Sequence, residues 1–231
     1  MIPSRTLPRV LLILFAVLAV AHLVIQLLGI AAWDRPTQVF LMPALLLVLA
    51  GATGRPRGRL IILAMVALVF SWLGDTAPAF ASGDLAFLLM VGFFLIAQVV
   101  YVAAFWPYRS DSVLTRRRWL LAPYIGFVAL LVWACAPHAG GLLVPVLLYG
   151  LVLGLMAVLS TGLGPWVAAG GALFLISDAL IALRAFAPGW DAVPLGGFWV
   201  MSTYIVAQTL IVLGLLARPR THTRAGVGTS A

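Results

Sequence analysis

The chain contains neither lysine nor glutamate, has one cysteine, and is poor in charge of either sign, with 9% of its residues charged. A soluble domain carries about 25%. A surface so short of charge cannot face water all round. Cys135, the lone cysteine, excludes an internal disulfide and any cysteine-based metal site. Set in an apolar run, it reads as a small buried hydrophobe. The charges that exist are lopsided: fourteen arginines against six aspartates, for a net charge of +8. No basic run is long or interleaved with exposed aromatics, so this excess does not read as a nucleic-acid surface.

What the sequence has in abundance is apolar residues, 64% of the total, with a mean hydropathy of +1.17. Such a chain belongs in lipid. Its 231 residues leave room for one membrane domain over 1–231 and no appended soluble domain. Residues 1–8 are expected to be a short cytoplasmic N-terminus, and 218–231 a disordered cytoplasmic tail.

A helix needs about 20 apolar residues to cross a hydrocarbon layer of ~30 Å. Runs of that kind fall at 9–30, 37–53, 60–77, 85–106, 119–136, 142–160, 165–185 and 195–217. The fold class expected is therefore an all-α polytopic membrane protein with eight transmembrane helices. The second run is the shortest and carries Pro43, which predicts a kink or tilt. The first run, from Val10 to Trp33, is longer than the core of a signal peptide and is expected to stay in the protein.

The arginines orient the bundle. With the N-terminus in the cytoplasm, Arg5, Arg9, Arg55, Arg57, Arg59, Arg109, Arg116, Arg117, Arg118, Arg218, Arg220 and Arg224 share the cytoplasmic side. Only Arg35 and Arg184 fall on the other. This bias predicts a multi-pass protein of the cell membrane with both termini inside. Trp33, Trp106, Trp119, Trp166 and Trp190 lie near span ends, where indole prefers the interface.

An ionisable group inside the bilayer costs several kcal/mol, so it is a functional candidate by default. Asp34, Asp84, Asp111 and Asp191 lie in connections or at span ends and read as solvated. Asp75 and Asp178 do not. At 1.5 Å per residue, Asp75 lies ~22 Å into span three and Asp178 ~20 Å into span seven, both entered from the same side. His22 reaches ~20 Å on span one by the same count. The plain alternative is a packing or end-capping role for each acid, met by Ser71, Thr76, Ser177 or a backbone donor. Gln98, Tyr101, Tyr204 and Gln208 place further polar groups in the bundle, either to bridge helices or to orient a substrate or water. Asp75 precedes Tyr101, and Asp178 precedes Tyr204, by the same interval. Two four-helix halves in one orientation (a 4+4 repeat) would produce that echo; so would coincidence in a chain this rich in leucine and alanine.

The stretch FSWLGDTAPAF (70–80) followed by FFLIAQVVYVAAF (93–105), with GALFLISDALIA (171–182) and YIVAQTLIVLGL (204–215), resembles the YhhN family of lysoplasmalogenases. The likeness runs through nearly the whole chain. It implies an eight-span hydrolase that cleaves the vinyl ether of lysoplasmalogens to a fatty aldehyde and a glycerophospho-base. It also implies that the two motif acids, here Asp75 and Asp178, are catalytic. Family members commonly have histidine where this chain has Gln98 and lysine where it has Met42. Glutamine is neither acid nor base, and methionine offers no charge to a phosphate.

Vinyl ethers hydrolyse through protonation at carbon, capture of the oxocarbenium-like cation by water, and collapse of the hemiacetal. An acid, a stabilising anion and a base for water are needed, as when two carboxylates split a glycosidic bond. In general, paired carboxyls away from water divide these roles, one holding its proton while the other is charged. In this scheme His22, Gln98, Tyr101, Tyr204 and Gln208 would contact or orient a lipid or lysolipid substrate. No cofactor motif appears, and no obligate protein partner is implied. Three other classes fit parts of the pattern. His22, Asp75 and Asp178 could in number ligate a metal. Paired midplane acids also suit a small-molecule or ion-coupled transporter, which would leave its ligand chemically unchanged. A purely structural protein would tolerate loss of both acids.

Overall fold

The computed structural model describes residues 6–218. Arg5, Arg220, Arg224 and the tail expected to be disordered lie outside the described residues. The elements are α1 (Thr6–Leu27), α2 (Ala31–Ala52), α3 (Arg59–Thr76), α4 (Gly83–Phe105), the single turn α5 (Val113–Arg116), α6 (Leu121–Ala139), α7 (Leu143–Ser160), α8 (Pro165–Phe186) and α9 (Gly196–Ala217). Short 3-10 turns link several of them, and no strand occurs among the described residues. All-helical structure follows from the composition. In hydrocarbon every backbone N–H and C=O must be satisfied within the protein, which a helix does residue by residue.

Seven helical stretches are long and apolar enough to cross a membrane, as a multi-pass membrane protein requires. One of them, Arg118–Leu163, is 46 residues long and holds both α6 and α7. These two helices meet at Gly140–Leu142, where Gly140 has φ +49° and ends the first of them. Each of the eight apolar runs read from the sequence thus overlaps a helix of 18–23 residues.

The largest displacement is at α2, which begins at Ala31 rather than near residue 37. It runs unbroken through Pro36 and Pro43. In its polar first turns, Asp34 and Arg35 fall where the sequence reads as a connection, while Gln38 lies just inside the run 37–53. All three line the cavity described below. Asp34 in the first turn also faces the positive end of the helix dipole.

Local signals fix other boundaries. Gly164 takes φ +104°, a conformation side chains resist, and Pro165 follows at the first helical position, where its missing N–H costs nothing. The five interfacial tryptophans named above are all exposed and stand at or beside helix ends. Cys135 is buried against Ala139 and Phe186.

The core is apolar and centred on α2, α3, α4, α7, α8 and α9. The tightest contact is between α8 and α9. There Gly170 lies against the backbone of Ala207 and Ile211, and Gly214 lies against Val167. Small residues that let two backbones approach are the usual device of membrane helix packing.

Candidate functional site

At the end of the bundle that carries Arg35 and Arg184, a cavity of about 480 Å³ opens among α2, α3, α4, α8 and α9. Asp75 and Asp178 both line it. Asp75 comes from the last turn of α3 and Asp178 from the middle of α8, and the two carboxyls lie within electrostatic reach of each other. The two acids, on α3 and α8, meet in one cavity.

Each carboxylate is held by a phenol. Tyr204 of α9 donates to Asp75 Oδ2 at 3.1 Å, and Gln38 of α2 donates to Asp75 Oδ1 at 3.4 Å. Asp178 accepts a short hydrogen bond from Tyr149 of α7. Ser71, Thr76 and Ser177 do not satisfy the acids. Ser71 accepts from Gln208, Thr76 donates to the Trp72 carbonyl, and Ser177 donates to the Val200 carbonyl. The acids are bonded instead by Tyr204, Gln38 and Tyr149 from neighbouring helices.

Aromatic packing sets the tyrosine on Asp75. Phe94, Phe174 and Tyr204 meet edge to face, with centroids 5.5–6.3 Å apart. Gly74 makes room for this cluster, since a Cβ there would stand 2.7 Å from the Phe94 ring. The residue before the acid is thus glycine for a steric reason.

Below the cavity, Tyr101 donates to Gln208 Oε1 at 2.7 Å and Gln208 Nε2 donates to Ser71 Oγ at 3.0 Å. This buried chain ties α4, α9 and α3 together. Neither Tyr101 nor Gln208 lines the cavity. Replacing Tyr101 by Phe leaves the Gln208 carbonyl buried and unpaired, at about 1–3 kcal/mol. The expected result is a lower unfolding midpoint in detergent, and an unchanged midpoint removes the structural role. Gln98 is fully buried and neither of its amide atoms is hydrogen bonded among the described residues. It too stands outside the cavity lining.

His22 is not with the acids. It is fully buried, with Nδ1 2.8 Å from Thr37 Oγ1 and 3.8 Å from Asp34. The trio His22, Asp75 and Asp178 does not assemble, and among the described residues no three side chains of that kind gather as a metal site would need. Asp34, read as solvated, lines the cavity and accepts from Gln26 at 3.0 Å. Asp84, Asp111 and Asp191 are exposed. Met42 is buried in the core, so that position offers nothing to the cavity.

Sequence reasoning missed Tyr149 and Gln38. Tyr149 was legible: it is a lone phenol inside the run LLYGLVLG, and the logic that selected Tyr101 and Tyr204 applies to it equally. Of the two pairs, the one on Asp75 crosses the expected halves and the one on Asp178 stays within the second. Asp75 takes Tyr204, and Asp178 takes Tyr149, rather than the tyrosines that follow them at equal interval.

A narrower space of about 30 Å³ adjoins the cavity between α4, α7 and α8. It shares Phe87, Met90, Phe94, Asp178 and Ile181 with the cavity, is otherwise apolar apart from Tyr149, and is lined by helix residues alone.

The chain shows similarity to lysoplasmalogenases. It is 31% identical over 177 residues to proteins of that name from Mycobacterium bovis and Mycobacterium tuberculosis, covering 73% of this chain and 66% of each relative. It thus spans just under two thirds of the mycobacterial proteins. It is 30% identical over 198 residues to the mouse lysoplasmalogenase TMEM86B, covering 82% of this chain and 81% of the relative. No solved structure matches it. The YhhN family profile matches residues 4–215, nearly the whole described length, and the chain belongs to the YhhN family.

Proposed function

We propose that this protein is a membrane-embedded hydrolase that cleaves the vinyl ether of lysoplasmalogen-type lysolipids, releasing a fatty aldehyde and a glycerophospho-base. In this reading it crosses the cell membrane eight times with both termini cytoplasmic, and Asp75 and Asp178 are its acid and base. The observation that carries the reading is the shared cavity: a half-buried carboxyl, Asp75, and a buried one, Asp178, each held by a phenol, on one space. The lysoplasmalogenase names of the relatives point to the substrate.

The chemistry needs no more than these groups. One carboxylic acid gives its proton to the vinyl carbon remote from oxygen, and the positive charge forms on the carbon bearing the ether oxygen. The other, ionised carboxylate stabilises that cation and takes a proton from the water that adds to it. The hemiacetal then collapses to aldehyde and alcohol, and the proton balance returns to its start. Tyr149 and Tyr204 orient the carboxyls through their hydrogen bonds.

Purified protein in micelles should release aldehyde from a lysoplasmalogen, and should do nothing to the saturated ether analogue, which offers no carbon to protonate. No aldehyde from the vinyl ether defeats the proposal. Tyr149→Phe and Tyr204→Phe each remove one hydrogen bond to a carboxyl, a loss of about 1.5–3 kcal/mol where it is the ionised one and about 0.5–1.5 kcal/mol where it is the neutral acid. Release should fall about 10-fold or more in the first case and a few-fold in the second, with the protein still folded. Unchanged rates in both would show that the phenols do not position the acids.

A further inference from the structure

The two arginines that break the charge bias of the sequence, Arg35 and Arg184, both line the cavity that holds the acids. Arg35 is exposed in the first turns of α2, and Arg184 is half-buried in the last turn of α8. Among the described residues neither guanidinium takes part in an ion pair or hydrogen bond. Their placement follows the acids. Arg184 stands six residues beyond Asp178 on the same cavity-lining face, about 9 Å along the axis. Arg35 stands one turn before Gln38, the residue that bonds Asp75. Each acid therefore has a cation further out on its own side of the cavity.

Arg184 is also given room. A Cβ on Gly196, at the start of α9, would collide with its guanidinium. Asp34, next to Arg35 in the chain, lines the same cavity, with its side chain 40% exposed and one oxygen engaged by Gln26.

We propose that Arg35 and Arg184 clamp the phosphate of a single-chain phospholipid head group at the open end of this cavity, with Asp34 beside them taking its ammonium. The planar guanidinium offers paired donors that match phosphate oxygens, and two of them neutralise a charge that would otherwise meet Asp75 and Asp178. A glycerol backbone separates the ether from the phosphate, as the acids are separated from the arginines. The inference rests on the hydrolase reading for the lipid's identity, but its test does not require turnover.

The test measures binding of a non-cleavable 1-O-alkyl lysophosphoethanolamine, with 1-O-alkylglycerol as the phosphate-free control, to the full chain in detergent. The unmodified protein should bind the phosphate ligand more tightly. Arg184→Gln and Arg35→Gln should each weaken it about tenfold or more and leave the alkylglycerol within about twofold. Arg184→Lys should weaken it less than Arg184→Gln. Gly196→Ala, which displaces the guanidinium without deleting it, should fall between. Equal binding of both ligands by the unmodified protein, or equal loss of both in the variants, overturns the clamp. Inorganic phosphate at millimolar concentration should not displace the lipid; displacement would make this a free-phosphate site and overturn the head-group assignment. If the binding pattern holds while no aldehyde forms from a lysoplasmalogen, the clamp stands and the hydrolase reading falls.

Discussion

Asp75→Asn and Asp178→Asn should each lower aldehyde release at least about a hundredfold, the usual scale for removing a group that transfers a proton. Asparagine keeps the shape of the side chain and can still accept from Tyr204 or Tyr149, but it can neither give nor take a proton in the reaction. The variants should therefore insert, purify and unfold much as the unmodified protein does. Asp191→Asn, at an exposed position, is the control and should be indistinguishable from it. The measurement is aldehyde formed per folded protein, with the folded fraction taken from size exclusion. Normal turnover in both cavity variants would refute the assignment, because these are the two cavity carboxyls that a phenol holds among the described residues.

The second large effect is structural. Gly170→Val should cost about 1–3 kcal/mol or more, since overpacking a tight contact cannot be relieved when the obstacle is backbone. A Cβ at Gly170 would stand 2.7 Å from the Ala207 carbonyl oxygen and 2.9 Å from the Ile211 nitrogen. Neither can swing aside without moving α9. Because α8 carries Asp178 and α9 carries Tyr204, the same displacement would pull the site apart, so activity should fall with the unfolding midpoint. Gly92→Ala, where an added Cβ meets nothing within 4 Å, should leave both unchanged. A stable, active Gly170→Val protein would mean that the α8–α9 contact is looser than the geometry says.

Hydropathy was enough to place the helices, because lipid imposes a single length and a single solution to backbone hydrogen bonding. It failed where polarity served the cavity. Asp34 and Arg35 read as a connection and belong to a helix. The two acids were legible for a related reason: a carboxyl in an apolar run has few cheap explanations. Residue counting assigned them a common expected depth but said nothing about which helices are neighbours. His22 matched the acids in depth and is bonded to Thr37 instead, while Tyr149 went unread although it bonds Asp178. The interval that pairs Asp75 with Tyr101 and Asp178 with Tyr204 along the sequence is not the pairing in space. Partners across a bundle are set by helix packing, which a periodic count cannot see.

The narrow apolar space between α4, α7 and α8 reaches Asp178 without passing a single loop residue. Its width admits little more than water, so helices must part for anything larger. A hydrocarbon tail arriving through that flank never has to be lifted out of the bilayer, a transfer that costs ~0.8 kcal/mol for every methylene. For a long-chain lipid that saving exceeds the strength of any single contact in the site. In the proposed reaction the two products would also part company by solubility, the oily fragment sideways into the membrane and the phosphate-bearing one by the open end of the cavity.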